Sequence, residues 1–215
     1  MVTIIDYDAG NLRNVQKAFE YHGCEARISS RLEEIDEATT LVLPGVGHFQ
    51  HGMDNLEKTG LDDLIRKKVL EEQTPILGIC LGIQLLSEVG YEDGERQGLG
   101  LLKMESKPIK ISDKKYRSPH IGWNSVEILP SAKLFQGVPD SADFYFVHSY
   151  AVEVSNPDII SPRCTYDETF VASVEYKNIY ATQFHPEKSQ IFGLQVIKNF
   201  IDISKESGVT NSPVN

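Results

Sequence analysis

Apolar residues along this chain fall into short continuous runs, separated by stretches in which they recur every three or four positions. "VTIIDY" is a β-branched run, and the segment after it, "LRNVQKAFEYHG", is spaced as a helix that Asn11 can cap and Gly23 can end. "CEARIS" and "TTLVLPG" supply two further strands. Near-continuous apolar strands alternating with amphipathic helices are what a parallel sheet covered on both faces requires. Helices are expected around 48–58 and 61–73, the second from Leu61, Leu64, Ile65, Val69 and Leu70. The strand "PILGIC" comes next, and a helix "LGIQLLSEV" is expected at once after it.

From about residue 98 to 183 the pattern changes to short runs split by turns: "GLGLLKM", "GWNSVEIL", "DFYFVHSYAVEV", "FVASVEY" and "NIYATQF". Antiparallel pairs are expected there, with "YKNIY" as a hairpin turn. A last amphipathic helix, "IFGLQVIKNFIDIS", precedes a polar stretch. The expectation is one α/β domain over residues 1–204, with a mostly parallel central sheet flanked by helices and an antiparallel portion added in its second half. Residues 205–215 read as a frayed polar tail.

Composition narrows the function classes. With 21 Lys plus Arg against 31 Asp plus Glu the net charge is −10, which works against phosphate backbones and makes nucleic acid an unlikely partner. The N-terminus "MVTIIDYDAG" shows no basic leader, and the most apolar stretch, "PILGICLGIQLL", is too short to span a membrane. Three cysteines, Cys24, Cys80 and Cys164, match no zinc or disulfide spacing, so a reducing cytoplasm is the simplest compartment. By count alone such cysteines are more often buried filler than reactive groups.

Cys80 has a context that the other two lack. Gly78, Cys80 and Gly82 form G-x-C-x-G where a strand runs into a helix, the cysteine version of a nucleophile elbow. Side chains two residues before and after such a turn would strike neighbouring elements, so both places call for glycine. A helix N-terminus favours the thiolate, though typically by less than the ~1.4 kcal/mol that one full pKa unit requires, so a base should stand nearby. His185 in "QFHPEKS" follows an apolar strand, and Glu187 lies two residues on, spaced to hold the imidazole in one tautomer. Alone, H-x-E is more often a surface pair; together with a cysteine elbow it reads as a base and its orienter. "LPGVGHF" is a Gly-rich turn without a phosphate-loop lysine, placed where its amides could complete an oxyanion hole with Leu81 N–H. His48 and His51 lack a third metal ligand, His120 and His148 sit among aromatics and read as structural, and "EEIDE" and "YEDGER" read as solvated faces.

"LPGVGHF", "GICLGIQLL" and "QFHPEKS" together resemble the class I, triad-type glutamine amidotransferases. "YDAGNLRNV", "HIGWN", "YFVHSY" and the "KS" after "HPE" narrow the resemblance to the glutaminase subunits of imidazole glycerol phosphate synthase, over residues 2 to 200. The resemblance implies a flavodoxin-like fold and no cofactor or metal. It implies Cys80 as nucleophile, His185 as proton carrier and Glu187 as its orienter, with oxyanion donors at Leu81 and Val46. Glutamine contacts are implied at Gly47, Gln84, Glu92, Ser149 and Tyr150. A (β/α)₈ cyclase is implied as partner in a heterodimer with an ammonia tunnel, its interface including Asn11, Trp123, Asn124 and Lys188. An exposed Trp among polar residues suits such an anchor, whereas core packing would be its ordinary use. Here "GHFQHGM" departs from the small or acidic residues that commonly follow the phenylalanine. Two rival readings stay open: a paralogous glutaminase serving another ammonia-using enzyme, such as one that amidates polysaccharide sugars, and a stand-alone Cys hydrolase.

Overall fold

The computed structural model describes residues 1–140 and 142–210. Its strands are β1 (Val2–Ile5), β2 (Ala26–Ser29), β3 (Leu41–Gly45), β4 (Ile76–Cys80), β5 (Ser87–Gly90), β6 (Arg96–Gln97) and β7 (Leu102–Pro108), then β8 (His120–Ser125), β9 (Asp143–His148), β10 (Tyr150–Val154), β11 (Arg163–Thr165), β12 (Thr169–Val171), β13 (Ser173–Tyr176) and β14 (Ile179–Thr182). The α-helices are α1 (Leu12–Tyr21), α2 (Leu32–Asp36), α3 (Phe49–Thr59), α4 (Leu61–Arg66), α5 (Leu81–Leu85) and α6 (Gln190–Thr210).

Six strands form the central sheet in the order β13-β14-β4-β3-β1-β2, parallel except for the β13–β14 hairpin. The four central strands are buried along their length, as the unbroken apolar runs require. One face packs against Phe49, Met53 and Leu56 of α3 with Leu61 and Ile65 of α4. The other packs against Val15 and Phe19 of α1 and Val196, Ile197 and Phe200 of α6. This double layering is the α/β fold that the sequence pattern implies. A smaller sheet, β10-β7-β5-β6, and the antiparallel pairs β8–β9 and β11–β12 make up the added second half.

Local chemistry explains the boundaries. Asn11 does cap α1, its Oδ1 accepting Asn14 N–H at 3.4 Å. The turn in "YKNIY" is the β13–β14 hairpin, with Lys177 at φ +54. The helix expected over 61–73 runs unbroken to Glu71 but changes type on the way: α4 ends at Arg66 and a π-helical segment, Lys67–Glu71, continues it. Lys68 there is buried, its ammonium donating to Asp36 O and Glu72 Oε2, both at 2.6 Å. Asp36 belongs to α2, the helix hidden in "EEIDE", which buries only Ile35.

Two expectations need correction. The helix after Cys80 covers only 81–85, and Ser87–Gly90 is a strand. Leu99 N–H donates to Leu85 O and Leu101 N–H to Leu86 O, so the 98–102 segment takes the carbonyls that another helical turn would have used. At the other end, α6 runs to Thr210, past the expected boundary at 204, because no proline interrupts the chain before Pro213. Residues 211–215 of the expected tail lie outside the described residues.

The glycines around the elbow are fixed by contact. A Cβ on Gly82 would strike the carbonyl oxygen of Leu43, and one on Gly78 would lie 3.0 Å from Gly82 C and 3.1 Å from Ala181 Cβ. Replacing Gly82 with Ala should therefore cost more than about 2 kcal/mol, as overpacking against backbone does. Gly137→Ala, at φ +76 in open space, should cost only about 1 kcal/mol. Urea denaturation midpoints for the two variants check this.

Candidate active site

The parallel strands end at one edge of the sheet, and the side chains singled out above issue from the turns beyond them. In β3 and β4 Gly45 stands opposite Cys80, and in β14 and β4 Thr182 stands opposite Ile79. The segment that continues β14 therefore passes beside Cys80 and delivers Gln183, Phe184 and His185 to it. Cys80 is the N-cap of α5, with φ +56 and ψ −103, a conformation that a side-chain-bearing residue adopts only at a cost of ~1–3 kcal/mol. Its Sγ lies 3.7 Å from Val147 O and 4.0 Å from Gln183 Nε2.

His185 and Glu187 form a buried pair: Nδ1 to Oε1 is 2.8 Å, and the two side chains are only 3% and 2% exposed. The loop that holds them is tied down on both sides. His185 N–H donates to Tyr145 O, Ser189 Oγ donates to His185 O at 2.7 Å, and Tyr145 N–H donates to Ser189 Oγ at 2.9 Å. Nε2, the ring nitrogen left over, is buried without a hydrogen-bond partner, as is Oε2 of Glu187. The thiol acts on the ring, but more loosely than a formed hydrogen bond, since Sγ points at Val147 O. Such contacts are commonly long before substrate is bound.

A cleft of about 430 Å³ opens over Cys80. Val46, Gly47, Leu81, Gln84, Glu92, Ser149, Tyr150 and Lys188 are among the residues that line it. Glu92, from the "YEDGER" stretch read as a solvated face, is anchored here: Oε2 accepts Phe49 N–H at 2.8 Å, and Oε1 lies 3.7 Å from His48 Nε2. His48 in turn meets Asp93 at 3.0 Å. Gln84 Nε2 donates to Tyr150 O at 3.0 Å and to Gln183 Oε1 at 3.3 Å. Among the described residues no cluster of three or more His, Cys, Asp and Glu is arranged to hold a metal.

Of the residues assigned to an interface, Trp123 is 47% exposed and meets Tyr145 edge-on, with Lys188 Nζ 5.9 Å from that ring. Asn11 is exposed at the start of α1. Asn124 turns the other way along β8, its Nδ2 donating to Thr165 O at 3.0 Å. Sequence reasoning passed over Tyr7, Gln183 and Ser189. The Tyr7 hydroxyl is buried without a partner beside Gly45, where a Cβ would collide with it. Tyr7 opens the quoted "YDAGNLRNV", and Gln183 and Ser189 bound "QFHPEKS", so the motifs contained them, but nothing local to the sequence assigns them a contact.

The family profile described as glutamine amidotransferase class-I matches residues 3–203. The chain belongs to this family. Imidazole glycerol phosphate synthase subunit HisH 1 of Campylobacter jejuni (strain RM1221) is 45% identical over 202 residues, 94% of this chain and 99% of the relative. The HisH subunit of the same synthase from Aquifex aeolicus (strain VF5) is 44% identical, over 92% of this chain and 94% of the relative. The same backbone course recurs in the solved structure of PurLQS from Thermotoga maritima, at a TM-score of 0.69 and 18% identity, covering 94% of this chain and 97% of that one.

The site of this amidotransferase contains histidines of opposite tendency. Burial of His185 opposes its charge, but the Cys80 thiol and the Glu187 carboxylate outweigh it and push its pKa up to about 9. Burial alone drives His120 down to about 4, and burial with the nearby histidines drives His148 down to about 3. The raised group stabilises the fold fully below its unfolded value of 6.5 and loses that contribution as pH rises through about 9. The depressed pair acts oppositely: the unfolded chain binds more protons below 6.5, so stability falls as pH drops toward about 4. Glu187→Gln should lower the His185 pKa and flatten the alkaline loss of stability while leaving the acid limb. Imidazole NMR titration, with unfolding measured from pH 4 to 9.5, checks both.

Proposed function

We propose that this chain is the glutaminase subunit of an imidazole glycerol phosphate synthase, hydrolysing L-glutamine to glutamate and ammonia. One observation carries the reading: a strained, glycine-flanked cysteine beneath a cleft, next to a buried His–Glu pair whose free ring nitrogen has no other partner. Sulfur attacks the amide carbon of glutamine after handing its proton to His185. Leu81 N–H and the amides around Val46 and Gly47 receive the oxyanion. His185, held charged by Glu187, returns the proton to the departing nitrogen, which leaves as ammonia and a γ-glutamyl thioester remains. Water, deprotonated by His185, adds to the thioester and releases glutamate. Glu92 suits the α-ammonium group of glutamine by charge, and the backbone at Ser149 and Tyr150 its other end. Because α5 is a single short turn, little activation of sulfur comes from a helix dipole, and the imidazole supplies most of it.

Ammonia released into water at neutral pH takes a proton and stops being a nucleophile. The consuming site must therefore be reached without solvent, which requires a second subunit pressed against the cleft. The relatives' names describe subunits of a synthase, and the family resemblance makes the partner a (β/α)₈ cyclase that forms imidazole glycerol phosphate and AICAR. Val46, Ile121 and Trp123 are exposed apolar side chains, and Val46 lines the cleft itself, which suits an interface that seals it. Free thiols fit a cytoplasmic setting. The second reading, a copy serving a different acceptor, draws on relatives numbered in pairs: HisH 1 and HisH 2 of Methanococcus maripaludis are 45% and 42% identical to this chain.

Cys80→Ala should abolish glutamine-dependent formation of imidazole glycerol phosphate by the assembled complex, yet leave synthesis from ammonium salts intact. Loss of both, or of neither, contradicts the proposal. Glutamine hydrolysis that needs no partner would favour the stand-alone hydrolase, and failure to couple to any cyclase would favour the second copy. Trp123→Ala should weaken association by about 2 kcal/mol, as truncating a central aromatic does, measured by titration calorimetry with the partner.

A further inference from the structure

Two buried histidines take no part in the chemistry above, yet one of them lines the cleft. His120 on β8 and His148 at the end of β9 are directly opposed in the antiparallel register, and both are nearly inaccessible. His148 Nδ1 lies 2.9 Å from Tyr150 O, and His148 Nε2 lies 3.1 Å from His120 Nδ1. A carbonyl only accepts, so Nδ1 of His148 carries the proton and its Nε2 is an acceptor. His120 Nδ1 must then donate to it. The tautomers are thus fixed by the chain of contacts, and both rings are neutral. Tyr166 stacks on His120 with centroids 4.1 Å apart and Phe146 at 5.1 Å, while Phe170 covers His148 at 4.8 Å, so neither ring can turn freely.

Tyr150 O receives a second donor from the other side, Gln84 Nε2 at 3.0 Å. With both lone pairs occupied, the carbonyl cannot rotate, and the Tyr150–Ala151 peptide, the first of β10, is held at one orientation beside the cleft that Ser149 and Tyr150 line. The β9–β10 junction needs holding. β9 pairs with β8 and β10 pairs with β7 in a different sheet, so the chain changes sheets at Ser149, where Ile109 N–H donates to Ser149 O at 2.9 Å and the Tyr150 carbonyl depends on side-chain donors.

We propose that His148, backed by His120, is a positioning residue for glutamine: it fixes the backbone of Tyr150 at the cleft through the Tyr150 carbonyl, where Ile109 fixes the Ser149 carbonyl beside it. The inference rests on the glutaminase reading. It assigns these histidines to substrate placement and not to sulfur chemistry, so binding and reactivity should separate. The titratable groups acting on the pair are His185 and, stacked on His120, Tyr166, while Cys80, Glu92 and Lys188 line the cleft that His148 borders.

The test is inactivation of the full-length chain by a glutamine-mimicking diazoketone, which gives a saturation constant and a limiting rate, beside alkylation by iodoacetamide, which needs no glutamine pocket. His148→Phe should raise the saturation constant about tenfold, the loss expected for one buried hydrogen bond, with the limiting rate and the iodoacetamide rate within about twofold of wild type. His120→Phe should raise it about threefold, the milder loss of an indirect support. His148→Gln, which can still donate to the Tyr150 carbonyl, should recover most of the affinity. If His148→Phe lowers iodoacetamide reactivity as much as it lowers labelling by the diazoketone, or leaves saturation unchanged, the positioning role is wrong. If the wild-type chain is not labelled at Cys80 in a saturable way, the glutaminase reading itself fails. Should His148→Phe not fold, His120→Phe and His148→Gln carry the same comparison.

Discussion

Cys80 can occupy its left-handed backbone conformation only because everything around it leaves no alternative. The cost of φ +56 at a residue with a side chain is local, and it is offset by packing on three sides: Gly45 abreast of it on β3, Gly82 pressed on the Leu43 carbonyl, and Gly78 against Ala181. A larger residue at any of these places would push the strands apart or force the turn to relax. Relaxation would lower the sulfur into the sheet and remove it from the cleft. The sheet therefore serves less as a platform under the site than as a vice that keeps one residue strained.

The same edge of the sheet explains how groups far apart in sequence meet without a rigid covalent link. β4 and β14 are hydrogen-bonded neighbours, so the distance between Cys80 and the segment leading to His185 is set by strand spacing and not by loop conformation. What the loop must supply is only the last step, and three hydrogen bonds through Ser189 and Tyr145 supply it. Those bonds also connect the His185 loop to β9, which carries Val147 and His148 into the lining of the cleft. Cys80, His185 and the Val147–His148 side of the cleft thus hang on two adjoining pieces of sheet, and movement of β9 relative to β4 would alter their distances together.

Much of this was legible in the sequence because the decisive signals are short-range. The elbow is written in glycine spacing, the orienting carboxylate in a two-residue step, and the parallel strands in unbroken apolar runs. What was not legible depends on pairing across long separations. The helix after Cys80 looked longer than it is because "LLSEV" has helical spacing, while its carbonyls are captured by amides more than ten residues downstream. "YEDGER" looked like a solvated face because nothing local reveals that Glu92 accepts the Phe49 amide 43 residues away. The histidines at 120 and 148 looked like packing residues because each is surrounded by aromatics. Their register pairing, which puts two neutral imidazoles in series behind the cleft wall, exists only once β8 and β9 are laid side by side.

Desolvation treats the site's histidines in opposite ways, and the difference follows from partners, not from depth. His185 and His148 are both well inside the protein, and water exclusion disfavours charge on each. Beside His185 stand a carboxylate and a sulfur that can compensate a cation as thiolate, whereas His148 faces a carbonyl dipole and another imidazole. Proton traffic is thereby confined to one ring. A second protonatable base at the cleft would divert the proton that the leaving amide nitrogen must receive, and a second cation would repel the first. On the glutaminase reading, keeping His148 neutral leaves proton transfer to His185, which gives a physical reason for burying an imidazole there instead of leaving it exposed to solvent.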